Sequence, residues 1–176
     1  MKKFIILIFL SAITIAVNAQ QKAAPAKEIL EKAYTKAINE GKGILIIFRA
    51  SWCGWCRKMD SSLNNPLCKQ FFLDNYVTVH LTVFENEKNK ASENEGAEQV
   101  LKAYNAVDAG IPFWVIFNKQ GNIAGNSFIK KDSVESNIGC PATEEEVAAF
   151  INVLQKSSNI TAEQAAIVHD VFRKNE

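Results

Sequence analysis

The sequence predicts an α/β protein, a central mixed β-sheet flanked by helices on both faces, with an extra C-terminal helix. Three observations carry this. Segments with helical spacing of apolar residues alternate along the chain with short β-branched runs. The run Ile44-Leu45-Ile46-Ile47-Phe48 is apolar throughout, as expected of a strand buried on both faces. Turn and capping signals fall between these segments rather than inside them.

Lys2 and Lys3 open the chain, residues 4–17 are largely apolar, and Val17-Asn18-Ala19 sets small residues where a signal peptidase reads. Residues 1–19 are therefore expected to be a bacterial secretory signal peptide cleaved after Ala19. That leaves 20–176 as one domain, periplasmic or secreted, in an oxidising compartment. The apolar stretch is short of the roughly 20 residues that span a bilayer, which argues against a retained anchor. No cysteine follows the cleavage site for lipid attachment. With 176 residues, 48% hydrophobic and 22% charged, the chain suits a globular domain with a sizeable core rather than disorder. Removing the two lysines takes the basic count from 20 to 18 against 19 acids. So balanced a charge gives no reason to expect nucleic acid or an anionic membrane surface as partner.

Ile29, Leu30, Ala33, Ala37 and Ile38 recur at helical spacing within 24–40, with Pro25 near the start and Gly41 to close the helix. The strand 44–48 follows. A helix through Arg57 and Met59 comes next, interrupted near Asn64-Asn65-Pro66, and a second helical piece covers 67–74. Residues 76–84 alternate as a strand. Residues 85–95 are polar without an apolar period and read as a surface loop. A helix over 96–106 places Val100, Leu101 and Tyr104 on one side. Pro112 precedes a strand over 113–117, Lys119-Gln120-Gly121-Asn122 is a turn, and 123–128 returns as the second arm of a hairpin. Thr143-x-x-Glu146 and Thr161-x-x-Gln164 are capping-box patterns opening helices over 144–155 and 165–172.

Trp52-Cys53-Gly54-Trp55-Cys56 lies where a strand hands over to a helix, and this position has chemical consequences. Unpaired N–H groups and the positive dipole end at a helix N-terminus favour an anion there. Since the thiolate is the attacking species, Cys53 is expected to be the nucleophile. Cys56, one turn on and on the same face, is within disulfide reach and is expected to resolve the mixed disulfide. Arg49, Arg57 and Lys58 are nearby cations that could favour the thiolate further. A merely stabilising role fits poorly, because so short a loop removes little entropy from the unfolded chain. A structural zinc site would need four ligands; there is no second C-x-x-C, and His80 and His169 lack metal spacing with a cysteine. No metal and no organic cofactor are expected.

From Ile29 to Leu154 the chain resembles the thioredoxin superfamily. Residues 44–56 look like its central strand leading into the active-site helix, with Trp52 matching the tryptophan before the first cysteine. Gly110-Ile111-Pro112 is similar to its cis-proline segment. The resemblance implies that Pro112 lies against the dithiol and that Ile111 pairs backbone-to-backbone with a substrate peptide. Trp52, Gly54, Trp55, Ile111 and Pro112 are accordingly the expected substrate-binding residues, with an exposed apolar rim at Trp52 and Trp55 for docking protein segments. Three departures stand out. Ile47 occupies the position of the superfamily's buried acid, so proton transfer must use water or another group, with His80 on the neighbouring strand a candidate to face this region. Gly54-Trp55 replaces Gly-Pro between the cysteines. Phe113 replaces a common threonine, which predicts a more apolar groove.

The expectation is thus an exported protein thiol–disulfide oxidoreductase, leaning to reductase or isomerase. Its partners would be proteins with disulfides or thiols, with electrons from a membrane thiol relay. The alternatives are a disulfide-forming oxidase of the same fold and a soft-metal (copper) binding protein. Trp114 reads as a strand residue, Cys68 as buried, and Cys140, beside Pro141 and ahead of a helix cap, as accessible.

Overall fold

The first β-strand sets the architecture. In the computed structural model, which describes residues 22–131 and 134–176, β1 (Gly43–Arg49) is buried along almost its whole length. It is sandwiched between two apolar clusters. Leu45 and Ile47 face one of them; Ile44, Ile46 and Phe48 face the other. This alternation is the period-two geometry of a strand covered on both sides. The expected signal peptide at 1–19 lies outside the described residues.

Around β1 the order is β2–β1–β3–β4, where β2 is Tyr76–Thr82, β3 Phe113–Phe117 and β4 Ile123–Asn126. β2 runs parallel to β1, β3 pairs antiparallel with β1 and β4 antiparallel with β3, which makes the sheet mixed as predicted. Helices α1 (Ala26–Glu40) and α4 (Ala97–Ala103) cover one face. The other face carries α2 (Gly54–Leu63), α3 (Lys69–Asn75), α5 (Glu144–Ser157) and α6 (Ala162–Phe172). Phe72, Trp114, Phe150 and Phe172 pack ring to ring at its centre, so α6 completes the core. Gly41 ends α1 at φ 64°, the left-handed cap that glycine adopts without a Cβ clash. Both predicted capping boxes form, at Thr143/Glu146 and Thr161/Gln164. Among the described residues no helix is long and apolar enough to cross a membrane.

The chain departs from the predicted elements in two places. The strand expected over 123–128 stops at Asn126, and a second two-stranded sheet follows, β5 (Phe128–Lys131) with β6 (Val134–Asn137). Ser127 makes the corner. It is fully buried, donates its N–H to Trp114 O, accepts the Trp114 N–H on Oγ at 3.2 Å, and accepts the Ile138 N–H on its carbonyl. The strand expected over 76–84 ends at Thr82, and 85–95 contains a 3₁₀ turn, Glu87–Ser92. This segment is not simply a surface loop, because Glu85 and Asn94 are buried. Asn94 accepts the Thr82 N–H and donates to Ala24 O, tying the start of α1 to the end of β2.

Candidate active site

Cys53 is the residue that caps α2. It has extended backbone, and its Sγ accepts the Cys56 N–H at 3.0 Å, one of the donors a helix start leaves unpaired. That bond and the helix dipole favour negative charge on Sγ. Cys53 and Cys56 are joined in a disulfide with Cα atoms 5.3 Å apart. Their residues are 4% and 2% exposed, packed with Ala50 and Ile111. The pair is therefore closed off except at its rim.

The rim comes from the residues predicted to face substrate. Trp52 and Trp55 are large and exposed. The Ile111–Pro112 bond is cis, and the Ile111 carbonyl oxygen lies 3.6 Å from Cys53 Sγ. Gly54 opens α2 between the cysteines, where a Cβ would meet nothing closer than 3.8 Å. Beside the pair runs a groove of about 260 Å³ lined by Trp55, Gly110, Ile111, Pro112, Asn137 and Cys140 among others. Trp52 stands outside it.

Two supports went unseen in the sequence. Glu85 reaches back 34 residues, its carboxylate accepting the Ser51 N–H at 2.5 Å and the Ser51 hydroxyl at 2.7 Å. The preceding Phe84 adopts φ 56°, uncommon for a bulky side chain, and its carbonyl accepts the Trp52 indole N–H at 2.8 Å. The Phe84–Glu85 turn thus holds the segment entering the dithiol. On the other side Asn137, at the end of β6, directs its amide N–H group at the carbonyls of Ala109, Gly110 and Pro112 at 3.0–3.2 Å. Its Oδ1 accepts the Gly139 N–H. The hairpin missing from the predicted elements is what positions the proline loop.

The three cations expected to favour the thiolate are each engaged elsewhere. Arg49 pairs with Asp60 at 2.9 Å, Arg57 donates to Ser51 O, and Lys58 donates to Asn175 O while lying 4.3 Å over the Trp55 ring. His80 is paired with Asp60 at 2.7 Å. Ile47 is 1% exposed in the core, as expected for an apolar residue in that position.

Two expectations need correction. Cys140 is buried, not accessible: Asn175 donates to its Sγ at 3.3 Å, and burial, foremost, pushes the thiol up to about 12. Cys68, also free, is buried as predicted, and burial raises it to about 11. Phe113 adds no surface to the groove, because it is fully buried against Phe48, Tyr104 and Phe128. Trp114 is buried in β3 and donates to Gly139 O. Among the described residues no cluster of three or more His, Cys, Asp or Glu side chains could hold a metal ion.

Residues 26–119, just over half of the chain, match the family described as thioredoxin-like. The chain belongs to the thioredoxin-like family. Its C-x-x-C pair is closed as a disulfide on that fold. No curated protein matches the sequence. Among solved structures it is similar to a disulphide isomerase from Xylella fastidiosa, at 18% identity over 93% of this chain and 98% of that one, with a TM-score of 0.50. It is also similar to the DsbH oxidoreductase, at 18% identity over 86% and 96% of the two chains and a TM-score of 0.47. The oxidised C-terminal domain of Neisseria meningitidis DsbD shares 16% identity over 77% and 99%, again at 0.47. The Xylella fastidiosa structure shares the fold with this chain.

Proposed function

We propose that this thioredoxin-like protein is an exported oxidoreductase acting on protein disulfides, with Cys53 as nucleophile and Cys56 as resolving thiol. The observation that carries the reading is the position of Cys53 Sγ. It caps α2, accepts the Cys56 N–H, and lies 3.6 Å from the carbonyl preceding cis-Pro112. Trp52, Gly54, Trp55, Ile111 and Pro112 form the surface that receives the substrate, Ile111 through its backbone. The direction proposed is reduction or isomerisation, with electrons delivered by a membrane thiol relay. The oxidised state of the pair does not decide direction, which depends on potential against the compartment.

The test combines two measurements on the mature protein. Dithiothreitol-dependent insulin reduction should depend on Cys53 and be abolished by Cys53→Ala. The Cys53–Cys56 potential should lie well below about −120 mV, the value of a strong oxidant. A potential near that value would assign an oxidase instead. Stoichiometric copper retained after purification, with no disulfide turnover, would sink the reading. Export is tested by the N-terminus of protein recovered from a bacterial periplasm, expected at Gln20.

A further inference from the structure

Cys56 can resolve a mixed disulfide only as a thiolate, so its proton must go somewhere. Cys56 is 2% exposed, and the residues clustered with it, Ala50, Cys53 and Ile111, carry no side-chain base. The strand beneath offers Ile47, equally buried. Asp60 follows Cys56 by four residues on α2, which places the two on one helix face. Helical side chains lean over the preceding turn, and Cys56 lies on the turn preceding Asp60.

Asp60 is held there from the sheet. Arg49 and Ile47 are two apart on β1 and share a face, and His80 is Ile47's register partner on β2. Both side chains converge on the carboxylate, His80 Nε2 at 2.7 Å from Oδ1 and Arg49 Nη1 at 2.9 Å from Oδ2. Burial pushes the Asp60 carboxyl up, but its interactions with His80 and then Arg49 outweigh it and hold it below the usual carboxylate value. The other groups close enough to share this field are Cys140, from the loop before α5, and Lys58 on α2 itself, turned to Asn175 O. Glu146 of α5 also acts on Cys140.

We propose that the Asp60–His80 pair, steadied by Arg49, takes the proton of the Cys56 thiol during resolution. This rests on the oxidoreductase reading above and names the proton path within it. The Cys53 thiolate attacks a substrate disulfide, forming a mixed disulfide and releasing one substrate thiolate. The Cys56 S–H proton passes to the Asp60 carboxylate and is shared with the His80 ring. The Cys56 thiolate attacks Cys53 Sγ; the Cys53–substrate bond breaks, and its electron pair leaves on the substrate sulfur, which is protonated from solvent. The substrate disulfide is reduced by two electrons and Cys53–Cys56 is oxidised.

The test is a single turnover of reduced protein against a fluorescent disulfide peptide, reading release of the first and second peptide thiols separately across pH 5–9. Asp60→Asn should slow the second release about a hundredfold near neutrality while leaving the first unchanged. The deficit should shrink as pH rises and hydroxide replaces the lost acceptor. His80→Gln should slow it less, because the carboxylate remains. Arg49→Gln keeps the acceptor but removes a cation, so Asp60 holds its proton to higher pH and the profile should shift upward. A second release unchanged in Asp60→Asn would overturn the proposal. So would a slowing in Asp60→Asn that is uniform across pH and matched by Arg49→Gln, the pattern of a structural ion pair. A wild-type protein that releases neither thiol overturns the oxidoreductase reading and this proposal with it; wild-type turnover with an indifferent Asp60→Asn overturns this proposal alone.

Discussion

Replacing Glu85 by alanine should loosen the dithiol from a distance of 34 residues in sequence. Glu85 is 6% exposed, and both its oxygens are used by Ser51, on the backbone N–H at 2.5 Å and on the hydroxyl at 2.7 Å. A hydrogen bond to a charged group contributes about 1.5–3 kcal/mol net. The two losses are unequal. Ser51 is exposed, so its hydroxyl can turn to water or keep the 3.0 Å bond from Asn89, whereas the peptide N–H faces the emptied site. Removing a buried charge also recovers some desolvation cost. The net loss should be about 2–4 kcal/mol, or roughly 4–16 °C in Tm for a chain of this size. The order should be Glu85→Ala, then Glu85→Gln, which keeps one acceptor, then Ser51→Ala, which keeps the backbone bond. Urea unfolding of the oxidised protein reads this, followed by tryptophan fluorescence, since the Trp52 indole hangs on the adjoining Phe84 carbonyl. Freed of Glu85, the Ser51–Trp52 segment should also let alkylating reagents reach reduced Cys53 faster. A Glu85→Ala protein within about 0.5 kcal/mol of wild type, the range of ordinary surface changes, would refute the reasoning.

Three further outcomes are expected. Asn137→Ala removes the donor shared by the Ala109, Gly110 and Pro112 carbonyls; it should cost about 1–3 kcal/mol and slow insulin reduction, while Asn137→Asp, which keeps only the Gly139 acceptor, should not restore it. Cys68 and Cys140, with thiols raised to about 11 and about 12 by burial, should resist a disulfide reagent at pH 8 in the folded oxidised protein and both react once it is denatured; rapid labelling of folded protein would contradict their burial. Hydrogen bonds to Glu144 and Asp170 raise the His169 pKa. Its contribution to docking α6 on α5 should therefore be full below the ordinary histidine value of about 6.5 and fade as pH rises through the raised one, a loss that hydrogen exchange should detect and His169→Gln should remove.

What the sequence made legible was what neighbouring residues decide. The β1 run, the Gly41 cap and both capping boxes depend on contacts within one or two turns, and each formed where predicted. The dithiol and the proline segment were legible for the same reason, each being a contiguous motif. The β5–β6 hairpin was hidden because Ser127 and the lysines after it interrupt the apolar pattern, and Ser127 is buried only because Trp114 and Ile138 satisfy its polar groups. Cys140 looked exposed beside Pro141, but Asn175, 35 residues on, closes over it and bonds the Pro141 carbonyl too. Phe113 was placed in the groove by analogy, although strand alternation sends it to the α1–α4 side with Phe48. For Ser127 and Cys140 the deciding partner is far away in sequence.

The same distance governs the site. A C-x-x-C motif supplies the sulfurs and the helix start, but the frame around them comes from three remote segments. Glu85 and Phe84 hold the entry from the end of β2, Asn137 holds the proline loop from β6, and Asn175 fastens α2 from beyond α6. Asn175 accepts the Lys58 ammonium on its carbonyl at 2.6 Å and exchanges hydrogen bonds with Ser62, so the second half of the active-site helix is pinned. With the backbone fixed on every side, the adaptable parts of the rim are the exposed Trp52 and Trp55 side chains. On the proposed function, a substrate disulfide reaches this nearly buried sulfur pair where a peptide lies along Ile111 and Pro112. Selectivity in such an arrangement lies in the shape of the groove. Reactivity of Cys53 lies in the helix start that α2 sets against its sulfur.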